Sequence, residues 1–308
     1  MREYSFILEA HMRRAFIVFT VLIVVSALFV SCGNGETEER SAEQETETTT
    51  ETAAAGSGDL ADGVYFAMED QFAERTGWRY NATIEVEDGE IVAAEWNGAH
   101  RENGTNKVTR SESGEYGMVA NSDAQAPWFE QAAATEEWLL ENQDPSAITY
   151  TDDQGHTDAI SGVSIHVVEF FDLVEEALAQ GPVGYGPYED GVYEATAAQA
   201  DNGWRNTVSL TVVSGYIVAA EFDALPEEGD KNKEDASIDG DYGMVANSNA
   251  TVPWYEQIRS AEEWLIQNQD PSALSIADDG TTDAVSGVSI SIDGHFELAA
   301  QALEGAAR

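Results

Sequence analysis

The chain has 308 residues, 43% of them hydrophobic, which is enough apolar material to build real cores and excludes a wholly disordered protein. It carries 58 acidic against 14 basic residues, a formal net charge of −44, and such a surface repels a phosphate polymer, so nucleic-acid binding is excluded. Only Lys107, Lys231 and Lys233 are lysines, a composition suited to saline surroundings where screening relieves the self-repulsion.

At the N-terminus, Arg13 and Arg14 precede an apolar run from Ala15 to Val30 that closes on Ser31-Cys32-Gly33. A basic start, a short apolar core and a small residue at the break describe an export signal over residues 1–31. The segment Leu28-Phe29-Val30-Ser31-Cys32 resembles the lipobox of bacterial lipoproteins, with Phe29 at a position that usually holds a small aliphatic residue. The resemblance implies lipidation of Cys32, export, and anchorage at the cell membrane or cell surface. Cys32 is the only cysteine, which leaves no intramolecular disulfide and no cysteine-ligated cluster. Residues 32–59 are rich in Glu, Thr, Ala, Ser and Gly and lack aromatic residues, so they read as a solvated tether.

The remainder is a duplication. Gly77-Trp78-Arg79 returns as Gly203-Trp204-Arg205, and Ile91 to Glu95 as Ile217 to Glu221, both at an offset of 126. Tyr116 to Ser122 returns as Tyr242 to Ser248, Asn142 to Ala147 as Asn268 to Ala273, and Asp158 to Ile165 as Asp283 to Ile290. The units are residues 60–180 and 188–308, joined by a Gly/Pro linker at 181–187.

Within each copy the pattern is α+β, an antiparallel sheet packed against helices. Trp78, Tyr80, Ala82, Ile84 and Val86 alternate with polar residues, which predicts a strand with one buried face. Asp88-Gly89 signals a hairpin, with Glu90 to Trp96 returning, and Ser214-Gly215 is its counterpart. A helix is expected from Pro127 through Trp138-Leu139 to just before Asp144-Pro145, with its copy from Pro253. Ile148 to Thr151 reads as a short strand. A last helix follows Ser164, with Phe170-Phe171, Val174 and Ala177 on its apolar side, and its copy runs to about Ala306. The Tyr-Gly-Met-Val-Ala-Asn-Ser segments read as turns, and Trp128 and Trp254 as core.

The pattern Asp-Ala-(Ile/Val)-Ser-Gly-Val-Ser precedes the last helix in both copies, which places Ser164 and Ser289 at or inside a helix N-terminus. Unpaired N–H groups and the dipole gather there, and a glycine just before lets an anion approach the backbone. Read on its own, the pattern describes an N-cap in preference to a phosphate site, with Ser164 or Ser161 accepting a backbone hydrogen bond.

The segment resembles the flavinylation motif of FMN-binding domains: Asp, two variable residues, Ser or Thr, Gly, Ala, then Thr or Ser. Such domains occur in the C and G subunits of the sodium-pumping NADH:quinone oxidoreductase and Rnf complexes and in exported flavin lipoproteins of extracellular electron transfer. In that family a flavin transferase moves FMN from FAD onto the final hydroxyl as a phosphoester. The resemblance implies recognition positions at Asp158, Ser161 and Gly162 and an acceptor at Ser164, with Asp283, Ser286, Gly287 and Ser289 in the second copy. Serine replaces the commoner threonine, and Val163 and Val288 stand where the family has alanine, which is expected to add bulk beside the reacting oxygen.

The implied cofactors are two covalent FMN groups, and the implied partners a flavin transferase and redox proteins or extracellular acceptors. The chain would be an electron carrier rather than an enzyme with its own substrate. The alternatives are a binding or adhesion lipoprotein that keeps the fold without the cofactor, and a flavin-dependent reductase. None of the five histidines recurs in register, so neither a shared metal site nor a hydrolase triad is expected.

Overall fold

A computed structural model describes residues 60–102 and 104–308. The export signal, Cys32 and the tether lie outside the described residues. Each copy opens with a three-stranded antiparallel sheet in simple order, β1 (Gly63–Met68), β2 (Trp78–Glu87) and β3 (Glu90–His100), then β4 (Gly191–Thr196), β5 (Trp204–Val213) and β6 (Tyr216–Pro226). Asp88-Gly89 and Ser214-Gly215 have positive φ at both positions, the twist a two-residue hairpin requires.

The sheets are followed by short helices α1 (Lys107–Glu112) and α2 (Met118–Asn121), then α3 (Trp128–Asn142) and α4 (Val168–Gln180). In the second copy these are α5 (Lys233–Ile238), α6 (Met244–Asn247), α7 (Trp254–Asn268) and α8 (Asp293–Ala302). Architecture and duplication are as expected from the sequence: two α+β units, each a sheet packed on helices. The differences are local. The Tyr-Gly-Met-Val-Ala-Asn segments end in the single-turn helices α2 and α6, and residues 148–150 pair with no strand. The turn just before them, Pro145–Ala147, is 3-10, set by Asp144, whose carboxylate accepts from the Ser146 N–H.

In the first unit Tyr65, Ala82, Ile84, Val86 and Trp96 close against Trp128, Leu139, Phe170, Phe171 and Val174. In the second, Val208, Leu210, Ile217 and Phe222 meet Trp254, Ile258, Leu265, Phe296 and Ala299. The edge strands β3 and β6 would expose unpaired backbone, and α3 and α7 cover it with side chains. Gln143 both accepts from Ile91 N–H and donates to Ile91 O, an amide standing in for a neighbouring strand, and Gln269 does the same for Ile217. Glu136 and Glu262 accept from the N–H groups of Trp96 and Phe222.

Strand β2 departs from the expected single buried face, because Arg79, Asn81 and Thr83 are buried as well. Its second face meets the other repeat. Thr83 and Ser214 share a hydrogen bond of 2.7 Å, Phe66 stacks on Tyr216, and Ala99, Val213, Val218 and Ala219 form a small shared core. Arg79 makes a two-pronged ion pair with Glu263 at 3.0 and 3.1 Å. The linker is pinned too: Val183 and Gly184 donate to Val64 O, and Gly186 donates to Ser214 O.

Candidate functional site

The repeated serine motif forms one well-defined loop in each unit. Thr157 anchors its start, donating to Thr149 O at 2.7 Å and accepting from Ala159 N–H; Thr282 does the same with Ser275 O and Ala284 N–H. Ile160 and Val285 then bury their side chains, and Ser161-Gly162 and Ser286-Gly287 turn the chain back outward. Gly162 and Gly287 have φ of +83° and +82°, the second corner of a turn closed by Val163 N–H on Ile160 O and Val288 N–H on Val285 O. That backbone favours glycine, and a Cβ built at either position meets no heavy atom within 4 Å, so open space borders the turn.

Buried glutamines clamp the exit of each loop. Gln131 Oε1 accepts from the N–H groups of Ser164 (2.7 Å) and Ile165 (3.2 Å), and its Nε2 donates to Ala126 O. Gln257 holds Ser289 N–H at 2.7 Å and donates to Val252 O. The serine hydroxyls also reach these oxygens, at 3.3 Å for Ser164 and 3.1 Å for Ser289. Asp158, Ser161, Gly162 and Ser164 are all exposed on this one loop, as are Asp283, Ser286, Gly287 and Ser289 on the other.

Two expectations change. Ser164 and Ser289 do not lie at a helix N-terminus: α4 starts at Val168 and α8 at Asp293, four residues later in each case. The Gln131 and Gln257 side chains take up the backbone N–H groups that a first helical turn would have left free. Val163 and Val288 do not crowd the hydroxyl, because Val288 is 9% exposed within the second core and Val163 packs against the first. What the loop offers chemically is a primary alcohol at the surface, on a fixed backbone, with room beside the glycine.

The first loop has charged neighbours that the second lacks. His156 pairs with Asp152 at 2.8 Å and His166 with Glu169 at 2.7 Å, and the hydrogen bond that His166 donates to Glu169 raises the His166 pKa. Ser291 occupies the place of His166 and bonds Asp293 instead. Aspartates ahead of each loop serve the loops themselves: Asp152 accepts from Gln154 and His156 N–H, Asp279 from Thr281 N–H. Among the described residues no group of three or more His, Cys, Asp or Glu is placed to hold a metal ion, and no helix is long and apolar enough to cross a membrane.

Sequence reasoning missed Lys107 and Lys233. Lys107 Nζ lies 4.3 to 5.1 Å from the ring centroids of Trp78, Tyr80, Tyr116 and Trp128 and donates to the Tyr80 hydroxyl at 2.8 Å. Burial lowers its pKa to about 7. Lys233 sits among Tyr242, Trp254 and Trp204 at 4.8 to 5.8 Å, with its pKa lowered to about 8 by burial. The signal was available, since two of only three lysines stand exactly one repeat apart in register. Trp128 and Trp254, each 2% exposed, are therefore core residues that also wall a lysine cage.

No protein-family model matches the chain, and no curated protein matches it. A Clostridium thermocellum protein of known solution structure is 48% identical over 39% of this chain and 92% of its own, with a TM-score of 0.32. A Clostridium perfringens protein of known crystal structure is 23% identical over 40% of this chain and 88% of its own, with a TM-score of 0.31.

Proposed function

We propose that the chain is a membrane-anchored exported flavoprotein that carries covalent FMN on Ser164 and Ser289 and relays electrons outside the cytoplasm. The observation that supports it most directly is the pair of exposed serine hydroxyls on glycine turns of the same φ and hydrogen bonding, each with its backbone clamped by a buried glutamine. A surface alcohol is what a transferase needs to reach, and the open space beside Gly162 and Gly287 accommodates a phosphate. The bound flavin would supply the redox chemistry, and a covalent bond keeps it from being lost to dilution outside the cell.

The protein's part is positional. Gln131 and Gln257 hold the serine N–H groups whether or not the hydroxyl is esterified, because the ester removes only the weaker Oγ contact. Asp158 and Asp283 stand free at the loop entrance, where a modifying enzyme would meet them. Cys32 would tie the unit to the membrane, and the two loops would serve redox partners or extracellular acceptors.

The test is an intact mass with in-gel flavin fluorescence on protein coexpressed with a flavin transferase. Two added FMN groups are expected, falling to one in Ser164→Ala or Ser289→Ala and to none in the double variant. An unmodified mass beside an active transferase overturns the proposal in favour of a binding or adhesion lipoprotein.

A further inference from the structure

A cleft of about 1150 Å³ lies where the two repeats meet. One wall is the β1–β2 connection of the first repeat with Phe72, Arg79 and Arg101; the other is α7 with Arg259 and Trp264; and Ser286 of the second serine loop closes it. Three guanidinium groups in one cleft need a reason in a chain of 14 basic residues.

Two of the three are committed. Arg79 is held by Glu263, and Arg259 by Glu234 at 2.6 Å. Arg101 makes no ion pair among the described residues; its guanidinium lies over Phe72 at 5.4 Å from the ring centroid, with Arg79 also against that ring at 5.3 Å. A guanidinium that lies over one ring has a second face that can take another aromatic group and an edge that can pair with an anion. Glu262 is buried, which pushes its pKa up, and its carboxyl group already accepts from Phe222 N–H. Asp70 and Glu74 are exposed, so water screens them.

We infer that this cleft binds a flat aromatic anion, seated between Trp264 and the guanidinium of Arg101. The site belongs to the pair of repeats and not to either one: Ala133 and Ala134 stand in the first copy where Arg259 and Ser260 stand in the second, and the opposite wall is contributed by the first repeat alone. Two sources can supply such a ligand. Ser286 lines the cleft and Ser289 is three residues away, at most about 11 Å of chain, so a flavin ring attached to Ser289 is within reach; a free aromatic anion from the medium is the other. The first source rests on the proposed function, whereas the cleft chemistry does not.

The experiment uses the full chain produced without a flavin transferase, titrated with free FMN and separately with an anthraquinone sulfonate, reading fluorescence quenching. Saturable binding is expected, weakened about tenfold in Arg101→Gln through loss of a charge-assisted contact, and weakened also in Phe72→Ala. Unfolding curves on both variants establish that they remain folded.

The same titration on Ser164→Ala protein loaded at Ser289, with its load verified by mass, separates the sources. Failure of this loaded form to take up either probe places the tethered ring in the cleft; undiminished binding assigns the cleft to a free ligand. An absent mass addition counts against the proposed function and leaves the first titration standing. Absence of saturable binding, or binding indifferent to both substitutions, overturns the inference.

Discussion

Replacing Gln131 by leucine removes the clamp on the first serine loop while keeping a side chain of similar size at a position that is 1% exposed. Three backbone groups lose their partner: the N–H of Ser164 and of Ile165, and the carbonyl of Ala126. A fully buried orphaned group costs about 1–3 kcal/mol; Ser164 is exposed and Ile165 and Ala126 are half-buried, which holds the sum for the three to about 2–4 kcal/mol. For a cooperative unit of this size that lowers Tm by about 5–15 °C. Urea unfolding followed by tryptophan fluorescence reads the first number and a thermal scan the second. Gln257→Leu should cost somewhat less, because it orphans two backbone groups, Ser289 N–H and Val252 O, and the double variant should cost the sum, since the two clamps share no partner. The leucine variant should also lose modification at Ser164 while Ser289 keeps its own. A stability within about 0.5 kcal/mol of the parent, the range of an ordinary surface change, would refute the assignment of Gln131 as the residue that fixes the loop.

Glu136 has its pKa raised to about 7, chiefly by burial, so the folded state holds a proton that the unfolded chain gives up near 4.5. Its contribution to stability is complete below 4.5 and is lost as the pH rises through 7; Glu136→Gln, which still accepts from Trp96 N–H, should flatten that window in unfolding curves taken from pH 4.5 to 8. Lys107 runs the other way: with its pKa lowered to about 7 from 10.5, the unfolded chain binds more protons between those values, and stability rises with pH across them. Lys107→Met should abolish that rise, measured as the difference between variant and parent from pH 7 to 10. Gly162→Ala meets no neighbour, so its cost is that of a left-handed backbone alone, about 1–2 kcal/mol by urea unfolding; a loss well beyond this would mean that a side chain does clash there.

The two-unit organisation was legible because the repeat carries its own register, and the strands and long helices because their apolar spacing is local. Trp78 to Val86 alternate whatever they pack against, Asp88-Gly89 turns by its own φ preference, and Pro127 and Asp144-Pro145 bracket α3 by steric rules that need no partner. The serine loop was legible as a motif for the same reason.

Its conformation was not. Ser164 precedes α4 by four residues because Gln131, 33 residues earlier, captures its N–H, and no local pattern announces a side chain arriving from another helix. The second buried face of β2, with Arg79, Asn81 and Thr83, reads as a solvated face by alternation; it is buried because the other repeat covers it, with Ser214 and Glu263 as partners. The cleft beside Ser286 has the same origin. Sequence fixes what a segment can do with its own backbone and its own water, while burial of a polar face and the placing of a charge depend on which distant surface comes to lie against it. For this chain that surface is its own second copy.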